Sequence, residues 1–327
     1  MTTATTTSPL LPTARGPLSK AVLTGLRGED FSAPRAADFP AFGDDLQLAL
    51  YCCYELHYRG FREVDADREW DPALLAVRAQ LEAAFLTALR KAVPPSSDVA
   101  AEIDELTVEH VDDTGVSHHL RHRGELWQLR EYVAHRSLYH LKEADPQSFV
   151  IPRLDAAPKA ALVAVQHDEY GAGDPERTHS KLFADMMDSL GLRTDYGAYL
   201  GSAPAEALAE VNFMSLCGLH RSLRGALIGQ FATIELTSSP GADRLAKAMR
   251  RMGCDERATL FYDEHVEADA VHEQLVRREV IAPLLAAEPE LAGDVVFGIR
   301  CSTFLAGRLE QLLLSCWERG HASSRTP

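Results

Sequence analysis

Beyond residue 119 the apolar residues recur with a helical period, and the breaks between these runs carry helix punctuation instead of hairpin turns. Helices are predicted at 119–144, 156–171, 175–190, 204–237, 242–252, 255–282 and 288–318. Asp145-Pro146 reads as a stop, Asp174-Pro175 as a start, Ser239-Pro240-Gly241 as a turn, and Gly253 as a C-cap before Asp255. No period-2 stretch of strand length is present, and neither glycine-rich phosphate loop occurs, so nucleotide-binding α/β folds drop out. An all-α bundle remains.

The chain has 327 residues, 46% of them hydrophobic, which suffices for one large core or two smaller ones. Residues 1–20, rich in Thr, Pro, Ser and Gly, read as a flexible tail. Residues 21–112 read as an N-terminal helical subdomain: DDLQLALYCCYELHY has helical spacing, and Asp71-Pro72 opens a second helix that runs to about Lys91. It is expected to pack on the main body, residues 113–327, or on a second copy, and a homodimer is expected. The formal charge of −15 disfavours nucleic acid and anionic membranes as partners. No apolar run of membrane-spanning length and no secretory leader stand out, so a cytoplasmic protein is expected. Six cysteines with no C-x-x-C pair read as buried free thiols.

Chemistry enters with FYDEHVEADAVHEQ, residues 261–274. His265, Asp269 and His272 share one helix face, whereas Glu264 and Glu267 turn away. Two imidazoles and a carboxylate suit non-haem iron, which keeps positions open for O2 or substrate. A solvated face explains any one of them, but explains all three less well. Glu235 lies in the almost wholly apolar run 226–236, so its carboxylate is expected to be buried and needs a partner. That partner is either an arginine, such as Arg221 or Arg224, or a metal. DEYGAGDPERTHSKLF, residues 168–183, adds Glu169, Glu176 and His179, and Glu176-x-x-His179 matches the Glu-x-x-His element of di-iron bundles.

The segments LKEADP, DEYGAGDPERTH, FATIELTSS and DEHVEADAVHE, in this order, resemble the haem-oxygenase-like di-iron oxidase and oxygenase superfamily of iron-containing redox enzymes, and within it the N-oxygenase branch. The resemblance covers roughly residues 40–320. It implies a haem-oxygenase-like helical bundle with metal ligands Glu143, Glu169, His179, Glu235, His265, Asp269 and His272. It selects Glu169 over Glu176 and adds Glu143. It also implies two Fe (Fe2+/Fe3+) as cofactor, O2 as co-substrate, an external electron donor and a small-molecule amine as substrate. The expected activity is conversion of that amine to an N-hydroxy, nitroso or nitro product, in natural-product biosynthesis. A desaturase or C–C lyase of the same superfamily is the nearest alternative, and a ferritin-like iron-binding protein or a haem-binding helical scaffold the alternatives from other classes.

Several residues are set aside. His118, His119 and His122 face different sides of a helix among Arg121 and Arg123, as solvated histidines do. Trp127, Tyr132 and Tyr139 read as core aromatics, and His220, Arg221 and Arg224 as surface pairs.

Overall fold

The computed structural model describes residues 8–108 and 114–325, apart from the side chains of 267–271. It is an all-α bundle with no strand among the described residues. The helices are α1 (Pro17–Leu26), α2 (Asp44–Glu55), α3 (Pro72–Ala92), α4 (Val99–Thr107), α5 (Val116–His122), α6 (Leu126–His140), α7 (Asp145–Ser148), α8 (Ala156–Glu169), α9 (His179–Ser189), α10 (Ala205–Leu219), α11 (Arg224–Arg251), α12 (Glu256–Leu275), α13 (Ala282–Ala287) and α14 (Ala292–Glu318). A π-helical stretch, Val276–Ile281, joins α12 to α13 just before Pro283. A wide turn suits that place, because proline donates no N–H and its ring crowds the preceding turn.

Residues 8–20 depart from the flexible tail read in the sequence. Residues 17–20 open α1, with Leu18 and Val22 buried. The cause lies in another helix: Asp45, in the first turn of α2, accepts from Leu18 N at 2.9 Å, Ser19 N at 2.7 Å and Ser19 Oγ at 2.6 Å. A carboxylate supplied from α2 thus satisfies the orphan donors of α1, which local sequence does not reveal. Every residue of α2 from Leu46 to Glu55 is buried, and α2 packs against α1, α3 and α10. The apolar core runs unbroken from Leu18 to Trp317.

One helix among the described residues, Pro72–Ala92, is long and apolar enough to cross a membrane by length and composition, which the reading of apolar runs did not anticipate. Its Leu74, Val77, Leu81, Phe85 and Leu89 are buried at helical spacing. Arg78, Glu82 and Arg90 interrupt it, the pattern of a helix packed on a protein core.

Four predicted boundaries shift, the first being the start expected at Asp174-Pro175, which falls at His179. The helix expected at 119–144 is two, α5 and α6, parted at Gly124. The helix expected at 204–237 breaks at His220–Leu223, where Arg153 donates to the Gly218 and Leu219 carbonyls at 2.5 and 3.2 Å and so satisfies the end of α10 from a distance. The turn expected at Ser239-Pro240-Gly241 is instead helix: α11 continues through Pro240. Leu236 before the proline and Ala242 and Leu245 after it are all buried, so packing on both sides outweighs the lost hydrogen bond.

The long helices α11 and α14 cross in backbone contact. A Cβ at Gly229 would lie 2.0 Å from the Val295 carbonyl oxygen, and one at Gly298 would lie 2.0 Å from that of Ala226. Only hydrogen fits at either point. Gly298→Ala is therefore expected to destabilise the fold by about 2–3 kcal/mol, the cost of forcing two packed helices apart. Chemical denaturation checks this, with Gly307→Ala, where a Cβ meets open space, as the control.

Candidate metal centre

Five helical segments meet at one buried point. Glu143 follows the end of α6, in a turn that closes through left-handed Ala144 (φ 66°) into α7. Glu169 ends α8. Gly171, with φ +75°, lets the chain double back so tightly that a Cβ there would lie 2.7 Å from Thr178 N. Thr178 then caps α9 by accepting from Lys181 N, which makes His179 the first residue of that helix. The loop thereby brings His179 Nδ1 to 2.8 Å from Glu169 Oε2. Glu235 comes from the middle of α11, and His265 and His272 come from α12, two turns apart.

The donor atoms fall into two groups that share a member. Glu143, Glu169, His179 and His265 form one, and Glu169, Glu235 and His272 the other, each with its donor atoms within 4.8 Å of one another. All six residues are buried. His272 Nδ1 is 3.1 Å from Glu235 Oε2 and 3.9 Å from Glu169 Oε1, while His265 Nε2 is 3.8 Å from Glu143 Oε1. Glu169 turns one oxygen towards each group, Oε2 to His179 and Oε1 to His272.

Hydrogen bonds orient the imidazoles. His265 Nδ1 is 2.7 Å from the Phe261 carbonyl, so the proton sits on Nδ1 and the lone pair on Nε2, towards Glu143. His272 Nε2 is 3.2 Å from Asp168 Oδ2, which places the His272 lone pair on Nδ1, towards Glu169 and Glu235. This carboxylate–imidazole arrangement is the one that fixes ring orientation and raises basicity at metal sites.

Among the described residues the ionic partners of Glu143 and Glu169 are histidines, with no lysine or arginine. Burial alone would raise the Glu143 carboxyl, but His140 and His265 hold it below the ordinary carboxylate range. Burial lowers His179, yet the hydrogen bond and charge of Glu169 raise it on balance. Glu143 Oε2 has no hydrogen-bond partner among the described residues. Three buried carboxylates, one of them with an unbonded oxygen, need positive charge, and mixed imidazole and carboxylate donors suit iron. The residues present fit the cofactor.

Six of the seven anticipated residues therefore converge, and the side chain of Asp269 lies outside the described residues. The choice between Glu169 and Glu176 falls to Glu169, since Glu176 is exposed and pairs with Lys181 at 3.5 Å. The arginine alternative for Glu235 is not realised: Arg224 bonds Glu288, and Arg221 is exposed at the other end of α11. His119 bonds Gln128, and His220 pairs with Glu82 at 3.0 Å, both away from the cluster.

Two residues were missed. His140 Nδ1 lies 2.7 Å from Glu143 Oε1 and its ring stacks on Phe183; its only signal was the one-turn spacing to Glu143. Asp168 showed none. Beside the cluster a cavity of about 320 Å³ is lined by His140 and His265 and by Gln230, Thr233, Ile234 and Thr237, one face of α11. Tyr132, read as a core aromatic, lines it as well.

Asp168 orients His272 but is itself half-exposed, so its loss should be felt at the metal and not in the fold. Asp168→Asn is expected to weaken Fe(II) binding about 10–100-fold with unchanged thermal stability of the metal-free protein. A chelator competition titration measures it.

Residues 130–307, more than half of the chain, match the family of iron-containing redox enzymes, haem-oxygenase-like proteins. That stretch takes in all of the residues gathered in the cluster. The chain is also 26% identical over 160 residues to nitrosourea synthase of Streptomyces achromogenes subsp. streptozoticus. The aligned part is 49% of this chain and 34% of that protein, so the chain matches about a third of its relative's length. With an all-α fold, a buried cluster of glutamates and histidines and a match of this extent, the chain belongs to the iron-containing redox enzyme family and is an oxidoreductase of haem-oxygenase-like fold.

Proposed function

We propose that this oxidoreductase is a di-iron N-oxygenase that uses O2 to convert an amine of a small metabolite to an N-hydroxy, nitroso or nitro product. The observation that carries the dinuclear part is Glu169, common to both donor groups. Glu143, His179 and His265 complete one position, Glu235 and His272 the other, and Asp269 is proposed as a further ligand. Transfer to nitrogen is supported by the relative whose product, a nitrosourea, bears oxygen on nitrogen, and by His265 as a third imidazole.

When bound, iron in this donor set supplies electrons to O2, and turnover calls for an external electron donor. The rest is the work of the chain. Glu143, Glu169 and Glu235 concentrate negative charge where the cations sit. The Phe261 carbonyl and Asp168 hold the His265 and His272 rings with their lone pairs towards that charge. His140 steadies Glu143 beside the cavity, with Phe183 and Phe261 packed around its ring. The cavity reaches His265, so an amine held there meets the cluster on its open side.

Iron analysis is expected to give two ions per chain, and Glu169→Ala to lower both. Glu235→Ala and His179→Ala should stay helical yet lose oxygen chemistry. With labelled O2, mass spectrometry of the product should show every carbon retained and labelled oxygen on nitrogen. Loss of two hydrogens or of a one-carbon fragment, without label, would assign the chain to desaturation or C–C cleavage. A protonated amine is no nucleophile, so kcat/KM is expected to rise with pH as the free amine deprotonates, and a flat profile from pH 6 to about 9 would contradict the reading.

A further inference from the structure

We propose that Glu310 and Glu210 form a cation subsite within this cavity, so that the substrate carries a second positive group, ammonium or guanidinium, besides the nitrogen that is oxidised. The proposal rests on the reading of the cavity as the substrate chamber. Six helices enclose that chamber, and its polar lining is not spread evenly. His140 and His265 belong to the metal side. One helical turn back from His140, Arg136 donates through Nη1 to Glu210 Oε2 at 2.6 Å. Glu310 reaches in from α14, and its Oε1 accepts from Val116 N at 3.1 Å.

Arg136 stands one turn of α6 from His140 and holds Glu210, and Glu310 lines the same chamber from α14. A substrate with its reacting nitrogen at His265 has its other end at the carboxylates.

Two observations point to a ligand there. The Glu210 side chain is 10% exposed, yet its Oε1 has no hydrogen-bond partner among the described residues. Leaving a buried carboxylate oxygen unbonded is costly, and a donor brought by a ligand removes that cost. Secondly, burial raises the proton affinity of both carboxylates, and the charge of Glu310 raises that of Glu210 further, although Arg136 offsets part of it. Arg136 is committed to Glu210, and Arg244 donates through Nε to Ser117 Oγ at 2.9 Å. A flexible cation from solution relieves the repulsion and bonds both carboxylates. Tyr132 and Tyr262 on the cavity wall suit the methylene chain that would link the two nitrogens.

The test is calorimetric titration of anaerobic Fe(II)-loaded protein, where binding is read without turnover. The probes are the diamines from 1,3-diaminopropane to 1,5-diaminopentane, each against the n-alkylamine with the same number of heavy atoms. At least one diamine is expected to bind about 10-fold or more tightly than its partner, as a charge-assisted hydrogen bond implies. Glu310→Gln should abolish that preference. Glu210→Gln should reduce it too, but strands Arg136 in the interior, so its fold is checked by circular dichroism and Glu310→Gln is the deciding variant. Equal affinity for diamine and alkylamine throughout the series, or a preference that survives in Glu310→Gln, overturns the subsite. A preference lost in Glu310→Gln, in a protein that places no oxygen on nitrogen, upholds the subsite and removes the N-oxygenase reading instead.

Discussion

Burial of three glutamates at one point is the constraint on which the rest of this molecule depends. Glu143, Glu169 and Glu235 lie in the interior, each against an imidazole, and histidine is a weak answer to so much negative charge. An uncompensated buried carboxylate costs several kcal/mol, roughly a third or more of the stability of an ordinary domain. A fold that retains three of them is shaped for cations. This is the physical sense of membership in an iron-containing family: the metal is part of the charge balance of the core and not an ornament on a finished protein.

The bundle meets that constraint through α11. One stretch of it, Ala226 and Gly229, touches the backbone of α14 at Gly298 and Val295, which no side chain separates. Its next face, Gln230, Thr233, Ile234 and Thr237, lines the cavity, and Glu235 turns to the cluster. The helix can serve both only if it stays continuous past Pro240, and it does so because its two halves are packed on the same core. Close backbone contact on one side thus fixes where the carboxylate and the cavity wall stand on the others.

The cavity and the cluster are coupled by sharing His140 and His265. His265 belongs to the donor set and also forms part of the chamber wall, so a ligand that fills the chamber lies against the donor set itself. Polar groups in the chamber come from α5, α10 and α14 as well as from α6, α11 and α12, and α5, α10 and α14 supply no anticipated ligand. Part of the chamber wall thus stands on elements that hold no metal ligand, so a family can keep its metal site while its substrates differ.

The helical class was legible from the sequence because periodicity and punctuation are local, and the polar face of α12 was legible because His265 and His272 stand two turns apart on one helix. Glu235 announced itself as a carboxylate in an apolar run. The residue pattern alone left Glu169 and Glu176 open, since both precede His179 at short range. The choice depends on Gly171 folding the chain so that Glu169 faces inward and Glu176 meets solvent. Helix ends were misplaced where a distant residue does the capping: Asp45 for α1 and Arg153 for α10. Asp168, His140, Glu210 and Glu310 acquire meaning only when separate helices are brought together. A helical period tells which residues face inward, but which inward faces meet is decided by packing, and a metal site is made of such meetings.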